Sequence, residues 1–268
     1  MRRWGSVQIA RIVGSLIIGI GCCAVTCALD APVVRKSHPW GRFRPGSWKQ
    51  VRLVTEALDA QGNVTMRSIA RTRTTLITAG DEGVSLKVEA TVDVAGKQVE
   101  SAPQTVTQGW HGETLDRQTT ITDLGDGQVT IAGVRVPCRI EQAETQTPTG
   151  RIVTKTWHSA RVSPYVLRRE SATYDSESDE AVSQTQVEVV ALSRSIRVLR
   201  RRREAAELQV VYTHPGGMTR TKLWSSLEVP GGVVAHESEE FDTEGKITRR
   251  SKLELLGYSG EFTFGPLR

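Results

Sequence analysis

TKTWHSARVSPYVLRRES, residues 154–171, is answered 67 positions later by TKLWSSLEVPGGVVAHES, residues 221–238. Eight of the eighteen positions are identical: Thr154/Thr221, Lys155/Lys222, Trp157/Trp224, Ser159/Ser226, Val162/Val229, Val166/Val233, Glu170/Glu237 and Ser171/Ser238. The correspondence extends outward at the same offset. Pro148-Thr149-Gly150 answers Pro215-Gly216-Gly217, a turn ahead of each Trp-bearing segment, and Tyr174-Asp175 answers Phe241-Asp242. With one residue deleted, VEVV (187–190) answers LELL (253–256). Each unit reads strand, turn, Trp strand, turn, strand, acidic turn, strand. A fainter copy opens the chain, where LDAQGNVT (58–65) parallels FDTEGKIT (241–248). Asp-x-x-Gly between strands is a hairpin signal, with glycine supplying the positive φ.

Alternation agrees with this reading. VSLKVEATVDV (84–94) places Val84, Leu86, Val88, Ala90, Val92 and Val94 on one face and polar residues on the other. That period of two, rich in β-branched residues, describes a half-buried antiparallel strand. VRVPCRIE (134–141) does the same, with Val134, Val136, Cys138 and Ile140 on one face and Pro137, which lacks a ladder donor, pointing to an edge or bulge. The expected fold is all-β: a large antiparallel curved sheet, half-barrel or open barrel, built from meander units at about 48–100, 127–194 and 205–260. The best helical stretch lies near 195–208. A period of 67 exceeds solenoid repeats and suits a sheet that curls, since twisted sheets rarely stay open beyond about ten strands.

The first 28 residues read as a signal peptide. Arg2, Arg3 and Arg11 precede an uncharged run from Ile12 to Leu29, with small residues before a cleavage point after Ala28. The run is also long enough for a retained anchor over 12–29, and Gly21-Cys22 offers a lipidation point that Gly19 spoils. Residues 29–47 read as a flexible leader into one domain, 48–268, outside the cytoplasm: periplasmic, secreted or membrane-anchored. Removal of residues 1–28 takes three arginines and no acid, leaving 32 basic against 30 acidic side chains. Cys22, Cys23 and Cys27 go with them, so Cys138 stands alone and no intramolecular disulfide is expected.

Chemistry-bearing motifs are sparse. The five histidines have no metal-ligand spacing, and neither a Gly-x-Ser-x-Gly elbow nor a phosphate loop is present. No metal, cofactor or catalytic residue is expected. GWHGE (109–113) is a candidate ligand loop, combining the Trp110 ring, the His111 imidazole and the Glu113 carboxylate. Arg194, Arg197, Arg200, Arg201, Arg202 and Arg203 form a basic patch, a candidate contact with an anionic surface or a solvated connection between units. No aromatics interleave with these arginines, so nucleic acid is not an expected partner.

The element Lys-x-Trp-x-Ser-x-x-Val, then Pro, Val and Glu, resembles one found in uncharacterised secreted bacterial all-β proteins shaped like the curved half-barrel of lipoprotein carriers. It is carried here by Trp157, Ser159, Val162, Pro164 and Glu170 and by Trp224, Ser226, Val229, Pro230 and Glu237. The resemblance implies that fold, and a non-catalytic protein binding an apolar ligand or lipid. Two further readings stand beside it: a structural or interaction protein docking through residues 194–203, and an enzyme using the 109–113 loop.

Overall fold

The computed structural model describes residues 35, 38–110, 117–176 and 179–263. Every named element is a strand: β1 Trp48–Leu58, β2 Val64–Ala79, β3 Gly83–Val94, β4 Lys97–Glu100, β5 Gln104–Gly109, β6 Thr119–Ile131, β7 Val134–Thr147, β8 Gly150–His158, β9 Val166–Asp175, β10 Ala181–Val198, β11 Arg201–His214, β12 Gly217–Ser225, β13 Val233–Phe241 and β14 Ile247–Ser259. They form one antiparallel sheet in the order β4-β3-β2-β1-β14-β13-β12-β11-β10-β9-β8-β7-β6, with β5 also on β3. The meander is broken once, where β1 joins β14. The sheet is open and curled. β6 and β10 stand four steps apart, about 19 Å on a flat sheet, yet their Cα atoms approach within 8 Å.

The doubled phrase now has a physical account. β7, β8 and β9 begin at residues 134, 150 and 166, and β11, β12 and β13 begin at 201, 217 and 233. The Thr154 and Ser171 hydroxyls bond across β8 and β9 at 2.9 Å, and those of Thr221 and Ser238 across β12 and β13 at 2.8 Å. Lys155 lies 5.1 Å from the Trp157 ring and Lys222 lies 5.2 Å from the Trp224 ring. Buried Ser159 and Ser226 pin the following connection: their backbone N–H groups donate to Tyr165 O at 2.8 Å and Gly232 O at 2.9 Å. Both tryptophans are half-buried at the margins of apolar clusters.

The faint copy is as close in its turns. Asp59 Oδ1 accepts from the N–H of Gln61 and of Asn63, each at 2.9 Å. Asp242 Oδ1 accepts from Glu244 at 3.0 Å and Lys246 at 2.9 Å. Gly62 and Gly245 take φ of 83° and 80°, the left-handed region these turns require.

Three local readings need correction. Residues 195–208, rich in the helix formers Arg, Glu, Ala and Leu, are the end of β10 and the start of β11, joined by a two-residue turn at Leu199-Arg200. Val134 does not share the buried face of Val136 and Cys138; it is 61% exposed at the tip of the β6–β7 hairpin, past the end of β8. Pro137 also lies beyond β8, which stops with His158 opposite Arg139, so its missing donor costs nothing on that side. The described part of the 29–47 segment is not a loose leader. It is a strap of turns whose Trp40 and Phe43 are buried, tied down by Gly46 N–H to Leu76 O at 2.8 Å and Arg44 N–H to Glu261 O at 2.9 Å.

Cys138 packs with Ile131, Val136, Leu167 and Val189, and burial pushes its thiol pKa up. A neutral buried thiol is a poor nucleophile. The folded protein is therefore expected to resist thiol reagents and to label after denaturation. Prompt labelling of the native protein contradicts this packing.

Candidate functional site

The two faces of the sheet differ sharply. Across eight neighbouring strands one row of cross-strand partners reads Val92, Ala70, Leu53, Leu253, His236, Leu223, Leu208 and Val189. Seven of these eight side chains are apolar. His236 is set among leucines, and desolvation lowers its pKa to about 4. Three residues along the same strands, the opposite face reads Arg67, Glu56, Arg250, Glu239 and Arg220, each paired with the next. Charges of alternating sign placed opposite one another stabilise such a ladder.

Each face carries a candidate site. On the charged face a groove of about 680 Å³ is lined by four acids, among them Glu207 and Glu237, and four bases, among them Lys222 and Lys252. Lys222 reaches Glu207 at 3.1 Å and Lys252 reaches Glu237 at 3.3 Å, so the groove neutralises itself. On the apolar face no second layer packs among the described residues. The covering pieces are the strap, through Trp40 and Phe43, and the 226–232 connection, through fully buried Val229. They meet where the Gly231 N–H donates to Pro39 O at 3.1 Å. Beneath that junction lies Lys49, on the same face of β1 as Val51 and Leu53. Its ammonium donates to Gly231 O at 3.2 Å and lies 5.9 Å from the Trp40 ring. It makes no ion pair among the described residues, and desolvation lowers its pKa to about 8.

Of the sequence-derived candidates, only Trp110 and the arginines of 194–203 lie among the described residues. Trp110 is buried, its indole N–H donates to Asp81 O at 2.8 Å, and the Arg35 guanidinium lies 5.2 Å from its ring. It is a packing residue of the strap cluster rather than an open stacking platform. His111 and Glu113 fall outside the described residues, as do the signal segment 1–28 and the alternative anchor at 12–29. Arg194 and Arg203 are engaged, with Glu207 at 3.4 Å and with Glu228 respectively. Arg197, Arg200, Arg201 and Arg202 are exposed and have no ion-pair partner among the described residues.

One pair escaped the sequence reading. Glu141 on β7 is 5% exposed, and its carboxylate lies 3.8 Å from His158 Nδ1 on β8. Neither Glu141 Oε1 nor His158 Nε2 has a hydrogen-bond partner. Burial, then the charge of Asp123, raises the Glu141 pKa to about 7, opposed by Arg139; burial also lowers that of His158. Alternation alone does not reveal it, because the buried face of β7 changes parity at this point. Val136 and Cys138 are buried on one face, Glu141, Ala143 and Thr145 on the other.

This sheet and its apolar row define an open, curled all-β protein. No family model and no curated protein matches the chain. Among solved structures it is similar to a LolA superfamily protein from Nitrosomonas europaea, at 12% identity and a TM-score of 0.31 over 87% of this chain and 94% of that one. It is also similar to a DUF1329 family protein from Desulfovibrio piger, at 10% identity and a TM-score of 0.32 over 88% and 93%. A third, from Bacteroides fragilis and with a YmcC-like fold, matches at 10% identity and a TM-score of 0.33 over 81% and 99%. Likeness at this level leaves function to be argued from the chain's own residues.

Proposed function

We propose that the chain is a non-catalytic, extracytoplasmic protein that binds an amphiphilic lipid along the apolar face of its curled sheet. The observation that supports this reading is the eight-strand row from Val92 to Val189. A sheet face of that kind is normally buried against a second layer; here a strap and a connecting loop cover it instead. Such covers can lift without dismantling the sheet. Lys49, four residues along β1 from Leu53 on the same face and with no ion pair among the described residues, suits the acidic head of the ligand, while the tail lies along Leu53 and Leu253. The charged groove on the far face is satisfied by its own ion pairs and plays no part.

Oleic acid is the probe. It is expected to bind saturably and to raise the melting temperature, as any ligand of the native state must. Lys49→Met should weaken oleate binding about tenfold while sparing oleyl alcohol, the loss of one charge-assisted contact being worth roughly 1.5–3 kcal/mol. Absence of a melting shift, with no lipid found by native mass spectrometry of the purified protein, rejects the reading.

A further inference from the structure

The β10–β11 hairpin outruns its neighbours. β9 pairs with β10 only as far as Glu188, and β12 pairs with β11 only from Ala206 onward. Residues 189–205 therefore form a two-stranded arm at the loop-bearing edge of the sheet. One side of the arm is packed right up to the turn: Val198, next to the apex, and Ala205 are buried, and Arg203 pairs with Glu228 of the 226–232 connection. The turn itself and its arginines face outward.

The tip turns through two left-handed residues, Leu199 at φ 49° and Arg200 at φ 64°. Turns of this kind favour Asn-Gly, because only glycine bears the second position without cost. The chain itself obeys that rule twice, at Ala95-Gly96 and Ala132-Gly133. At the arm it places leucine and arginine instead. Arg197 and Arg202 are also direct cross-strand partners, a like-charge pairing that opposes the hairpin. Around them Arg200 and Arg201 are exposed, and none of the four arginines has an acid among the described residues. Leu199 stands 39% exposed at the apex. Local cost retained in this way, with unneutralised charge, belongs to a surface that is stabilised on contact with something else.

We propose that this arm docks the protein on an anionic lipid surface, with Arg197, Arg200, Arg201 and Arg202 on headgroups and Leu199 entering the acyl boundary. The arginines alone suit any polyanion. The apex leucine favours lipid, because an acidic polysaccharide offers nothing apolar to receive it. The β6–β7 hairpin tip adds to the argument. It leaves the sheet at the same edge, since β6 and β10 run in the same direction, and carries Val134 at 61% exposure beside exposed Arg135. The inference stands apart from the proposed ligand site, which lies on the sheet face and reaches the arm only at its first residue, Val189, not at its tip.

Co-sedimentation of the protein, as purified from its producing cells, with phosphatidylglycerol-containing and pure phosphatidylcholine vesicles tests the proposal. Binding should depend on the anionic lipid. Arg200→Glu with Arg202→Glu should lower it at least about tenfold, given roughly 1 kcal/mol per basic residue near such a surface. Leu199→Ser should weaken vesicle binding several-fold and leave binding to dextran sulfate unchanged. Arg200→Gly separates docking from folding: it should raise the melting temperature by relieving the turn, yet lower vesicle binding. Equal binding to both vesicle types, unaltered binding by Arg200→Gly, or binding to dextran sulfate without binding to vesicles overturns the proposal. Loss of oleate binding with vesicle binding intact rejects the ligand site alone.

Discussion

Gly150→Ala and Gly217→Ala should each destabilise the protein by on the order of 3 kcal/mol or more, and by similar amounts. Each glycine opens a Trp-bearing strand directly after the hairpin turn. Gly150 has φ 151° and Gly217 φ 136°, a region that a residue with a Cβ rarely enters. Space is denied as well as conformation. An added Cβ would lie 2.0 Å from Tyr174 O at the first and 2.0 Å from Phe241 O at the second. Both obstacles are backbone carbonyls of the neighbouring strand, which cannot rotate away. Gly216→Ala is the control: it lacks the positive φ and would meet only the His214 ring, at 3.1 Å. Thermal or urea unfolding checks the series. A mild effect at one glycine and a severe one at the other refutes the equivalence of the two hairpins.

Glu141 and His236 should pull stability in opposite directions as pH changes. The Glu141 pKa rises from 4.5 to about 7 in the fold, so between those values the native state holds a proton that the unfolded chain has lost. Its contribution is present below about pH 4.5 and is lost as pH rises through 7. His236 falls from 6.5 to about 4, so its contribution is present above about pH 6.5 and is lost as pH falls through 4. At 1.36 kcal/mol per pKa unit each shift corresponds to about 3 kcal/mol. Glu141→Gln should accordingly stabilise the protein at pH 8 and have little effect at pH 4. His236→Phe should hold stability at pH 4 that the parent loses. His158, also depressed by burial, works on the same side as His236, while Asp123 and Arg139 act on Glu141 with opposite signs. Denaturant midpoints across pH 4–8 measure both arms. A Glu141→Gln variant with the parental slope above pH 6 contradicts the buried acid.

Much of the sheet could be read from residues because its rules are local. Val84 to Val94 alternate, and Val84, Leu86, Ala90 and Val92 are buried. The Asp59 and Asp242 turns follow from an aspartate two and four residues ahead of the donors it accepts from. What could not be read depends on partners distant in sequence. Nothing in Trp48–Leu58 announces that it pairs with Ile247–Ser259. Glu141 ends the alternating stretch 134–141 on its polar face, and its burial comes with a change of buried face along β7 that the alternation does not announce. Residues 195–208 misled for a different reason. Their composition favours helix, and the turn within them lacks the glycine that normally marks one. The sequence candidates at 109–113 and 194–203 were chosen on side-chain chemistry. The face with the apolar row became visible only when eight registers were aligned.

The junction of β1 with β14 bears on how the chain matures. The sheet begins in the middle: its first strand has its second neighbour only when its last strand has been made. During vectorial synthesis, amino end first, the β1–β5 portion waits with β1 unpaired along one side while about 140 residues follow. Long-range closure of that kind slows folding and leaves sticky edges exposed meanwhile. Truncation before Ile247 would leave both β1 and β13 as open edges.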